Sequence, residues 1–572
     1  MAETIVSPGV FQRENDISFI TPAPVEAGAA IIGPTVKGPV EVPTVVTSYN
    51  EFSRIFGVTF DLGTDTQEYL TSLAVKSYFQ QGGNSCLVTR VAASASSWTP
   101  ATGSAIAASD AGAAPFSIET LGKGTIYNND GTENTDGSLV LGSADNLRYE
   151  ISNVNSAKGT FTLSIRRGDD NTKSKIVLET FSNLSLDPNA DNYIEKKIGN
   201  QTVSKLTDSD GVVYVGQTGE HVNKSRYIRI ASVARQTLNY IGNDGLIRES
   251  ALADALPTAQ TGAFGGAVGS VSQSSNLFQN IATQTQGLSA ADYADAITIL
   301  ENQDEYLFNI ISAPGLAYDL AGHSTPLDNI ISLAESRGDC IAVIDLYSYG
   351  AAVSQVTGKA DLLNSSYAAA YWPWLQTASA NGKNVWVPAS VFIPGVYAFT
   401  DGAAAPWFAP AGLVRGGIPG VIQAERKLTR NDRDTLYDGK VNPIATFPGT
   451  GIAVFGQKTL QTKASALDRV NVRRLLIDLK KFIGDQAQNL VFEQNTITTR
   501  NKFLAAVNPY LDSVVQRQGL YAYRVVMDDS NNTADVVDRN QLVGQVFIQP
   551  AKTAEFIILD FVVEPTGATF GA

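Results

Sequence analysis

Apolar and polar positions follow two different periods in the first ninety residues. Residues 27–33 and 86–91 are short, almost continuous apolar runs, which are typical of buried strands. Between them, residues 67–81 repeat apolar side chains at three- and four-residue spacing, which predicts a helix that ends at Gly82. Strand, helix and strand in this order indicate an α/β fold.

A different pattern begins near residue 116, where short runs alternate apolar and polar residues between Asn, Asp and Gly turns. This alternation predicts a β-rich domain. The stretches 93–115 and 251–276 on either side are rich in small residues and behave as linkers. We therefore expect a β-rich domain at residues 96–250, inserted into a discontinuous α/β domain made of residues 25–95 and 251–455.

The α/β alternation resumes after the insertion. Ser289 with Asp292 three positions later predicts a capped helix start. A strand at 306–312, a helix at 326–338 and a strand at 340–346 then follow, which is the order expected of a parallel sheet with crossover helices.

The two ends of the chain differ from its middle. Residues 1–24 contain four Pro and Gly residues without a helical period, which predicts an extended arm. Residues 456–572 predict a C-terminal α+β domain. Its expected elements are two helices, at 466–485 and 499–519, and three strands, at 520–529, 542–550 and 555–564.

The composition argues against several classes of function. The 572 residues are 44% hydrophobic and 17% charged, as in a folded soluble protein, and include 2 His and 2 Cys. So few ligands predict neither a metal cluster nor a disulfide framework, and we expect Cys86 and Cys340 to be buried reduced thiols. The apolar run near the C-terminus is interrupted by Asp560 and is too short for a membrane helix. We expect no cofactor, secretory signal or membrane insertion.

The net charge of −14 argues against direct nucleic-acid binding. Its distribution is uneven, because residues 458–481 carry seven basic and two acidic side chains. On the amphipathic helix predicted there, Arg469, Arg473 and Lys480 share one strip, with Arg474 and Lys481 further round. This strip is a candidate binding surface, although a solvated helix face would show the same pattern.

Other candidate chemistry is weaker. The segment 451–459 has the glycine spacing of a phosphate loop but one residue too many before its lysine, and its apolar residues favour a buried strand. Asp345 follows a predicted parallel strand and is a candidate catalytic carboxylate, but no second acid, His or Lys motif accompanies it, which favours a structural role. His221 and His323 lie in polar, turn-like contexts, which predicts surface histidines.

Two further groups each allow two interpretations. The acidic stretches 128–137 and 208–211 suggest calcium loops, but neither completes an EF-hand pattern and both suit hairpin turns. Four of the five Trp residues fall within 372–407. They suit the stacking of a sugar or base, although filling a core or an interface is the commoner use of such a cluster.

Several of these segments resemble one family, the contractile tail sheath proteins of bacteriophages and related injection systems. The resemblance is carried by SPGVFQREND (7–16), WFAPAGLVRGGI (407–418), the long run 456–483, FEQN (492–495), DVVDRN (535–540) and PAKTAEFIILDF (550–561). Residues 95–250 match nothing recognisable, in keeping with outer domains that are said to differ among sheath proteins.

The resemblance implies a structural protein and not an enzyme, polymerised as stacked six-membered rings around an inner tail tube. It implies that arms of neighbouring subunits complete the small C-terminal sheet. The implied N-terminal contacts are Ser7, Pro8, Gly9, Val10 and Phe11. The implied C-terminal strand contacts are Phe556, Ile557, Ile558, Leu559 and Phe561. The basic strip on the 466–485 helix would then face the tube.

Further partners implied by the family are baseplate and tail terminator proteins. The expected location is the virion, after assembly in the host cytoplasm, where contraction would drive the tube through a target envelope to deliver a genome. Two alternatives remain open from the residues alone: an α/β enzyme that uses Asp345, and another polymerising protein of a shell or surface layer.

Overall fold

The first part of the described chain forms five strands and two helices. The computed structural model describes residues 27–61, 66–103, 106–129, 131–242, 244–270 and 276–558. Ser48 caps the first helix by accepting a hydrogen bond from the Glu51 N–H (3.2 Å). The elements are β1 (Ala27–Gly33), β2 (Thr44–Val46), α1 (Tyr49–Phe56), β3 (Thr59–Asp61), β4 (Thr66–Glu68), α2 (Leu70–Gln80) and β5 (Cys86–Arg90).

Residues 100–263 form small antiparallel sheets. The elements are β6 (Pro100–Gly103), β7 (Phe116–Lys123), β8 (Leu147–Asn155), β9 (Thr160–Arg167), β10 (Val177–Ser185), α3 (Ile194–Ile198), β11 (Thr202–Thr207), β12 (Val213–Thr218), β13 (Ile228–Val233), α4 (Ser250–Asp254) and β14 (Gln260–Ala263). The strand orders are β10-β9-β8-β14, β13-β7-β6 and β11-β12. Burial alternates strictly along β7, which is the pattern that predicted a β-rich region here.

The chain then returns to the α/β pattern. A short 3₁₀ turn at 290–293 begins at the predicted capping box of Ser289 and Asp292. The elements that follow are α5 (Ala294–Ile299), β15 (Phe308–Ala317), α6 (Ser324–Arg337), β16 (Ile341–Asp345), α7 (Val353–Ala360), β17 (Ala368–Trp372), β18 (Leu375–Ala378), β19 (Asn384–Val387), α8 (Ile393–Ala403), α9 (Gly412–Arg415), β20 (Val421–Ala424), α10 (Arg430–Asp438), β21 (Asn442–Phe447) and β22 (Gly451–Val454).

The main sheet joins strands from before and after the insertion. Its order is β2-β5-β1-β15-β16-β17-β21-β22, with parallel pairs from β5 through β21 and an antiparallel pair at each edge. Successive residues alternate between two cores, so that Ile31 faces one side of the sheet and Ile32 the other. Both faces are covered, which explains why these strands read as continuous apolar runs.

The C-terminal region has its own, smaller core. Its elements are α11 (Val470–Gln488), α12 (Ile497–Gln516), β23 (Leu520–Val526), α13 (Ala534–Asp538) and β24 (Gln545–Pro550). The two strands pair antiparallel as a two-stranded sheet. Leu475 and Leu479 on α11 pack in this core, while Val470 and Ile477 on the same helix pack in the main-sheet core. Helix α11 therefore packs in both the main-sheet core and the C-terminal core.

The coarse fold prediction is confirmed: the protein has a main mixed α/β sheet and several small antiparallel sheets. The predicted strand at 555–564 differs, because residues 555–558 form neither helix nor strand, and residues 559–564 lie outside the described part. No helix in the described ranges is long and apolar enough to cross a membrane.

Candidate assembly surfaces

Two of the five predicted basic residues on α11 are buried inside the protein. Arg473 and Arg474 are 4% and 3% exposed. The Arg473 guanidinium lies 4.0 Å over the Tyr367 ring and donates to Ser366. The expectation of one exposed strip through these residues was therefore wrong. Their side chains reach into the α/β region, where aromatic rings and polar groups compensate for lost hydration.

Arg474 forms a buried ion pair that ties α11 to α8. Its Nη2 lies 2.5 Å from Asp401 Oδ2, and its guanidinium lies 4.6 Å over the ring of Tyr397. Burial raises the pKa of Asp401, and the charge of Arg474 opposes this shift. A hydrogen bond of 2.6 Å between the hydroxyls of Tyr397 and Tyr371 extends the network to β17. These contacts fix the C-terminal helix on the main sheet.

The other three basic residues have different surroundings. Arg469 binds Glu555 through two hydrogen bonds, of 2.7 and 3.0 Å. Lys480 is exposed and its Nζ lies 3.1 Å from the Tyr367 hydroxyl, while Lys481 is half-buried. The lysines are thus the part of the predicted strip that reaches the surface. No local pattern indicated the pairing between residues 469 and 555, which are 86 positions apart.

The predicted arms are only partly described. Ser7, Pro8, Gly9, Val10 and Phe11 lie outside the described residues, as do Leu559 and Phe561. The three described arm residues are strongly exposed: Phe556 by 79%, Ile557 by 78% and Ile558 by 90%. Three adjacent large apolar side chains therefore face solvent beyond Glu555, an arrangement typical of an interaction segment.

The two-stranded sheet also presents apolar side chains to solvent. Tyr521 on β23 is 64% exposed and Phe547 on β24 is 55% exposed. Each strand pairs with only one neighbour in the described part of the chain, so both edges leave backbone N–H and C=O groups unpaired within the sheet. A two-stranded sheet is marginal by itself, and such edges suit the addition of a strand.

Asp345 has the geometry of a structural anchor. It lies buried at the end of β16, and its carboxylate accepts hydrogen bonds from the N–H (3.2 Å) and the hydroxyl of Ser390. Burial raises the pKa of Asp345 to about 7, against the opposing effect of the Ser390 hydrogen bonds. These contacts hold the turn that precedes α8 against the sheet. They provide no second acid or base beside the carboxyl group, in agreement with the preferred structural interpretation.

The two histidines are less exposed than predicted. His323 is 1% exposed. Its Nδ1 accepts from the Ala317 N–H (3.3 Å), so its Nε2 donates to the Thr283 carbonyl oxygen (3.1 Å). Burial lowers the pKa of His323. His221 is half-buried with its ring edge-to-face on Tyr193. The surface prediction was therefore wrong for His323, because main-chain groups at the end of β15 and at Thr283 satisfy its ring nitrogens.

The remaining candidates have structural roles. Cys86 and Cys340 are buried free thiols, as predicted. Residues 451–454 form strand β22, as expected for a segment that is not a phosphate loop. Asp208 caps the β11–β12 turn by accepting from the N–H groups of Asp210 and Val212. Within the described ranges, no three His, Cys, Asp or Glu residues are arranged to hold a metal ion.

The aromatic segment fills the core and covers loops. Trp372, Trp374 and Trp407 are at most 5% exposed. Trp374 and Trp386 both pack on Tyr349, with ring centroids 6.0 and 5.4 Å away. This arrangement supports the interpretation of these rings as packing residues and not as a stacking site.

Comparison with known proteins decides the family. The profile of the phage tail sheath protein central domain matches residues 286–460, and that of the phage tail sheath C-terminal domain matches residues 462–564. Residues 286–564 of the chain belong to the phage tail sheath protein family. This match confirms the resemblance found in the sequence motifs.

Curated sheath relatives match parts of the chain. The tail sheath protein of Vibrio phage KVP40 is 43% identical over 190 residues, which are 33% of this chain and 28% of the relative. The tail sheath protein of Enterobacteria phage T4 is 34% identical over 320 residues, 51% of this chain and 48% of the relative. The chain thus spans less than half the length of these relatives.

A solved structure shows the same fold over most of the chain. The crystal structure of a sheath tail protein from Listeria innocua superposes with a TM-score of 0.53 at 10% identity. The match covers 92% of this chain and 96% of that protein. The central sheet and the C-terminal region are therefore arranged as in a known sheath protein.

Proposed function

We propose that this protein is the subunit of a contractile tail sheath that polymerises as stacked six-membered rings around an inner tail tube. Contraction drives the tube through the target envelope, and the subunit contributes contacts and no covalent chemistry. Partners are copies of this chain, the tube protein, and baseplate and terminator proteins. The subunit joins the virion after assembly in the host cytoplasm, and it neither binds nucleic acid directly nor inserts into membranes.

The observation that carries this proposal is the match of residues 286–564 to two sheath family profiles. Two features of the chain support it. Residues Phe556–Ile558 expose apolar side chains, and no described residue pairs with the outer edges of the β23–β24 sheet. Both features suit a protein whose C-terminal sheet is completed by other copies of itself.

We also propose the domain arrangement expected from the sequence. Residues 1–24 form an arm, residues 25–95 and 251–455 one discontinuous domain, residues 96–250 an outer insertion and residues 456–572 the inner domain with its own arm. The main sheet supports the discontinuous domain, because β1 pairs with β5 on one side and β15 on the other. A long insertion between two strands of one sheet adds little closure entropy to the fold, because that cost grows slowly with loop length.

Electron microscopy of the purified full-length protein tests the proposed function. We expect striated tubes with six-fold end views. Closed shells or flat sheets would favour a capsid or surface layer, and monomers at every concentration would contradict polymerisation. Deletion of residues 1–20 should abolish long tubes and leave a folded monomer. Tubes of normal length from this variant would contradict the role of the N-terminal arm.

The proposed contact with the tube involves fewer residues than the sequence suggested. Because Arg473 and Arg474 are buried, the proposal concerns the lysines at the end of the strip. The variant Lys480→Glu with Lys481→Glu should lose assembly on the tube, and sheath-only polymers should persist. The exposed Lys502 on α12 provides the control Lys502→Glu. Equal assembly of both variants on the tube would contradict the proposed contact.

A further inference from the structure

The described part of the C-terminal tail, residues 551–558, is bonded to the body of the protein between Ala551 and Glu555. After β24 ends at Pro550, residues 551–558 form neither helix nor strand. The Ala551 N–H still bonds to the Gly519 carbonyl oxygen (3.0 Å), close to the two-stranded sheet. Four residues later, Glu555 lies against the start of α11. The tail therefore crosses from the small sheet back to the junction with the main sheet before its apolar residues begin.

A group of side chains, which we call the tail clamp, holds this point. It consists of Tyr437, Gln457, Arg469 and Glu555. Arg469 donates from Nε and Nη2 to the two carboxylate oxygens of Glu555, at 2.7 and 3.0 Å. Gln457 Nε2 donates to Glu555 Oε1 (3.0 Å) and to the Thr553 hydroxyl (2.6 Å). Such a bidentate, charge-assisted contact fixes direction as well as position.

The clamp is partly shielded from water. The Glu555 side chain is 18% exposed and that of Arg469 25%, while Gln457 is 3% exposed. Burial alone would raise the pKa of Glu555, but the hydrogen bonds from Arg469, Gln457 and Tyr437 outweigh it and lower that pKa. The clamp therefore stabilises the ionised carboxylate and differs from a solvated surface ion pair.

The position of the clamp along the chain gives it a role. Tyr437 belongs to α10, Gln457 follows β22 and Arg469 directly precedes α11. Of these elements, α10 and β22 pack on the main sheet, and α11 packs both there and in the C-terminal core. The exposed side chains of Phe556, Ile557 and Ile558 follow the clamped residue immediately. A tether that starts from a fixed point loses less conformational entropy when its end binds than one that is free from Pro550.

We propose that Glu555 is a positioning residue for contact between subunits: held by Arg469, Gln457 and Tyr437, it sets the origin of the apolar segment that reaches a second copy of this chain. This inference rests on the proposed sheath function. The clamp lies within one subunit and therefore orders the tail before assembly. It directs the tail outward from the start of α11, the helix that packs in both the main-sheet core and the C-terminal core.

A distance measurement on the unassembled protein tests the clamp directly. Spin labels at Asn431→Cys on α10 and Ile557→Cys report the tail position, and the buried native thiols leave these two sites as the reactive ones. Below the assembly concentration we expect a narrow distance distribution. Glu555→Gln and Arg469→Gln should each broaden it about twofold, because the tail gains the freedom that the clamp removes. A broad distribution in the parent protein, or no change in either variant, would overturn the proposal.

Assembly provides the second readout. Glu555→Gln should raise the concentration needed for tube formation about tenfold, because the arm must be ordered during binding. The swapped pair Arg469→Glu with Glu555→Arg should restore a narrow distribution and part of the assembly. Glu493→Gln removes an exposed glutamate of the same region and serves as the matched control. Tube formation by Glu555→Gln at the parent concentration would overturn the positioning role.

The two proposals fail in different ways. If the parent protein forms no tubes under any condition, the sheath function fails, while the distance distribution still decides whether the clamp exists. If tubes form and Glu555→Gln leaves both the distances and the assembly unchanged, the sheath function stands and the clamp proposal is overturned. Circular dichroism and the melting temperature of each variant separate either result from simple misfolding.

Discussion

The main sheet and the C-terminal sheet differ in how fully their strands are paired and buried. Every residue of β5, β16 and β17 is buried, and each of these strands has a neighbour on both sides. In contrast, β24 alternates exposed and half-buried residues, and within the described residues it pairs with β23 alone. The inner strands of the first sheet are therefore fully paired within one chain. The second leaves surface and edges that suit another chain, so the comparison separates the folding core from the assembly part.

The largest expected effect comes from breaking the connection between the two regions. Arg474→Ala leaves the carboxylate of Asp401, which is 25% exposed, without its partner, so the free energy of unfolding should fall by about 3 kcal/mol. Urea unfolding followed by tryptophan fluorescence measures this, because Trp407 packs in the C-terminal core. The exposed Lys502 on α12 provides the control Lys502→Ala, with a change within about 0.5 kcal/mol.

A double substitution tests whether the lost stability comes from the unpaired charge. Arg474→Met with Asp401→Leu removes both charges and fills the space with apolar atoms, so much of the lost stability should return. If Arg474→Ala costs less than about 1 kcal/mol, the ion pair does not hold α11 on the main sheet.

A smaller effect is expected at Asp345, inside the main sheet. Its pKa of about 7 lies above the ordinary value of 3.8, so the folded protein holds a proton that the unfolded chain releases between these pH values. The resulting stabilisation is complete below pH 3.8 and is lost as the pH rises through about 7. Between pH 5.5 and 8.5 the parent protein should therefore lose about 2 kcal/mol of stability through this group, and Asp345→Asn should remove that loss.

Urea unfolding of both proteins at the two pH values checks this prediction. Asp304→Asn changes an exposed carboxylate and should leave the pH dependence as in the parent protein. Sheath assembly should be normal in Asp345→Asn, since the side chain is buried and bonds to Ser390 inside the subunit. An equal pH dependence in the parent and in Asp345→Asn would contradict the raised pKa.

The smallest effect on the isolated subunit is expected at the C-terminal sheet. Phe547→Ser removes a side chain that is 55% exposed, so unfolding of the monomer should change by less than about 1 kcal/mol. Val343→Ala on β16 leaves a cavity in the main core and should cost about 2 kcal/mol. In tube formation the order of the two effects should reverse. Phe547→Ser should raise the protein concentration required for tubes, and Val343→Ala should not. The same order in both measurements would contradict the separation of core and assembly surface.

Elements buried on both faces were the most predictable. The apolar runs around Cys86 and Ile341 became strands β5 and β16, because helices cover both sides of the sheet there. The α11 helix was also predicted from its apolar spacing. Its spacing could not show which neighbour each face meets, and Arg473 and Arg474 were therefore placed at the surface although they are buried.

Contacts between distant residues account for the other differences. His323 lies in a polar stretch, yet the carbonyl group of Thr283, 40 positions earlier, accepts from its ring. The Arg469–Glu555 pair joins segments whose local sequences are unrelated. Local pattern sets the period of an element, but it contains no information about which polar group lies across a loop from another.

The position of β1 between β5 and β15 also determines how the subunit carries force. A pull on residue 27 along the strand loads the backbone hydrogen bonds of two parallel ladders together, in shear. A pull on the chain after Pro550 instead peels β24 from β23 one hydrogen bond at a time. The N-terminal end of the described chain is thus mechanically strong, while at the other end the contact between Arg469 and Glu555 receives the load before the hairpin does.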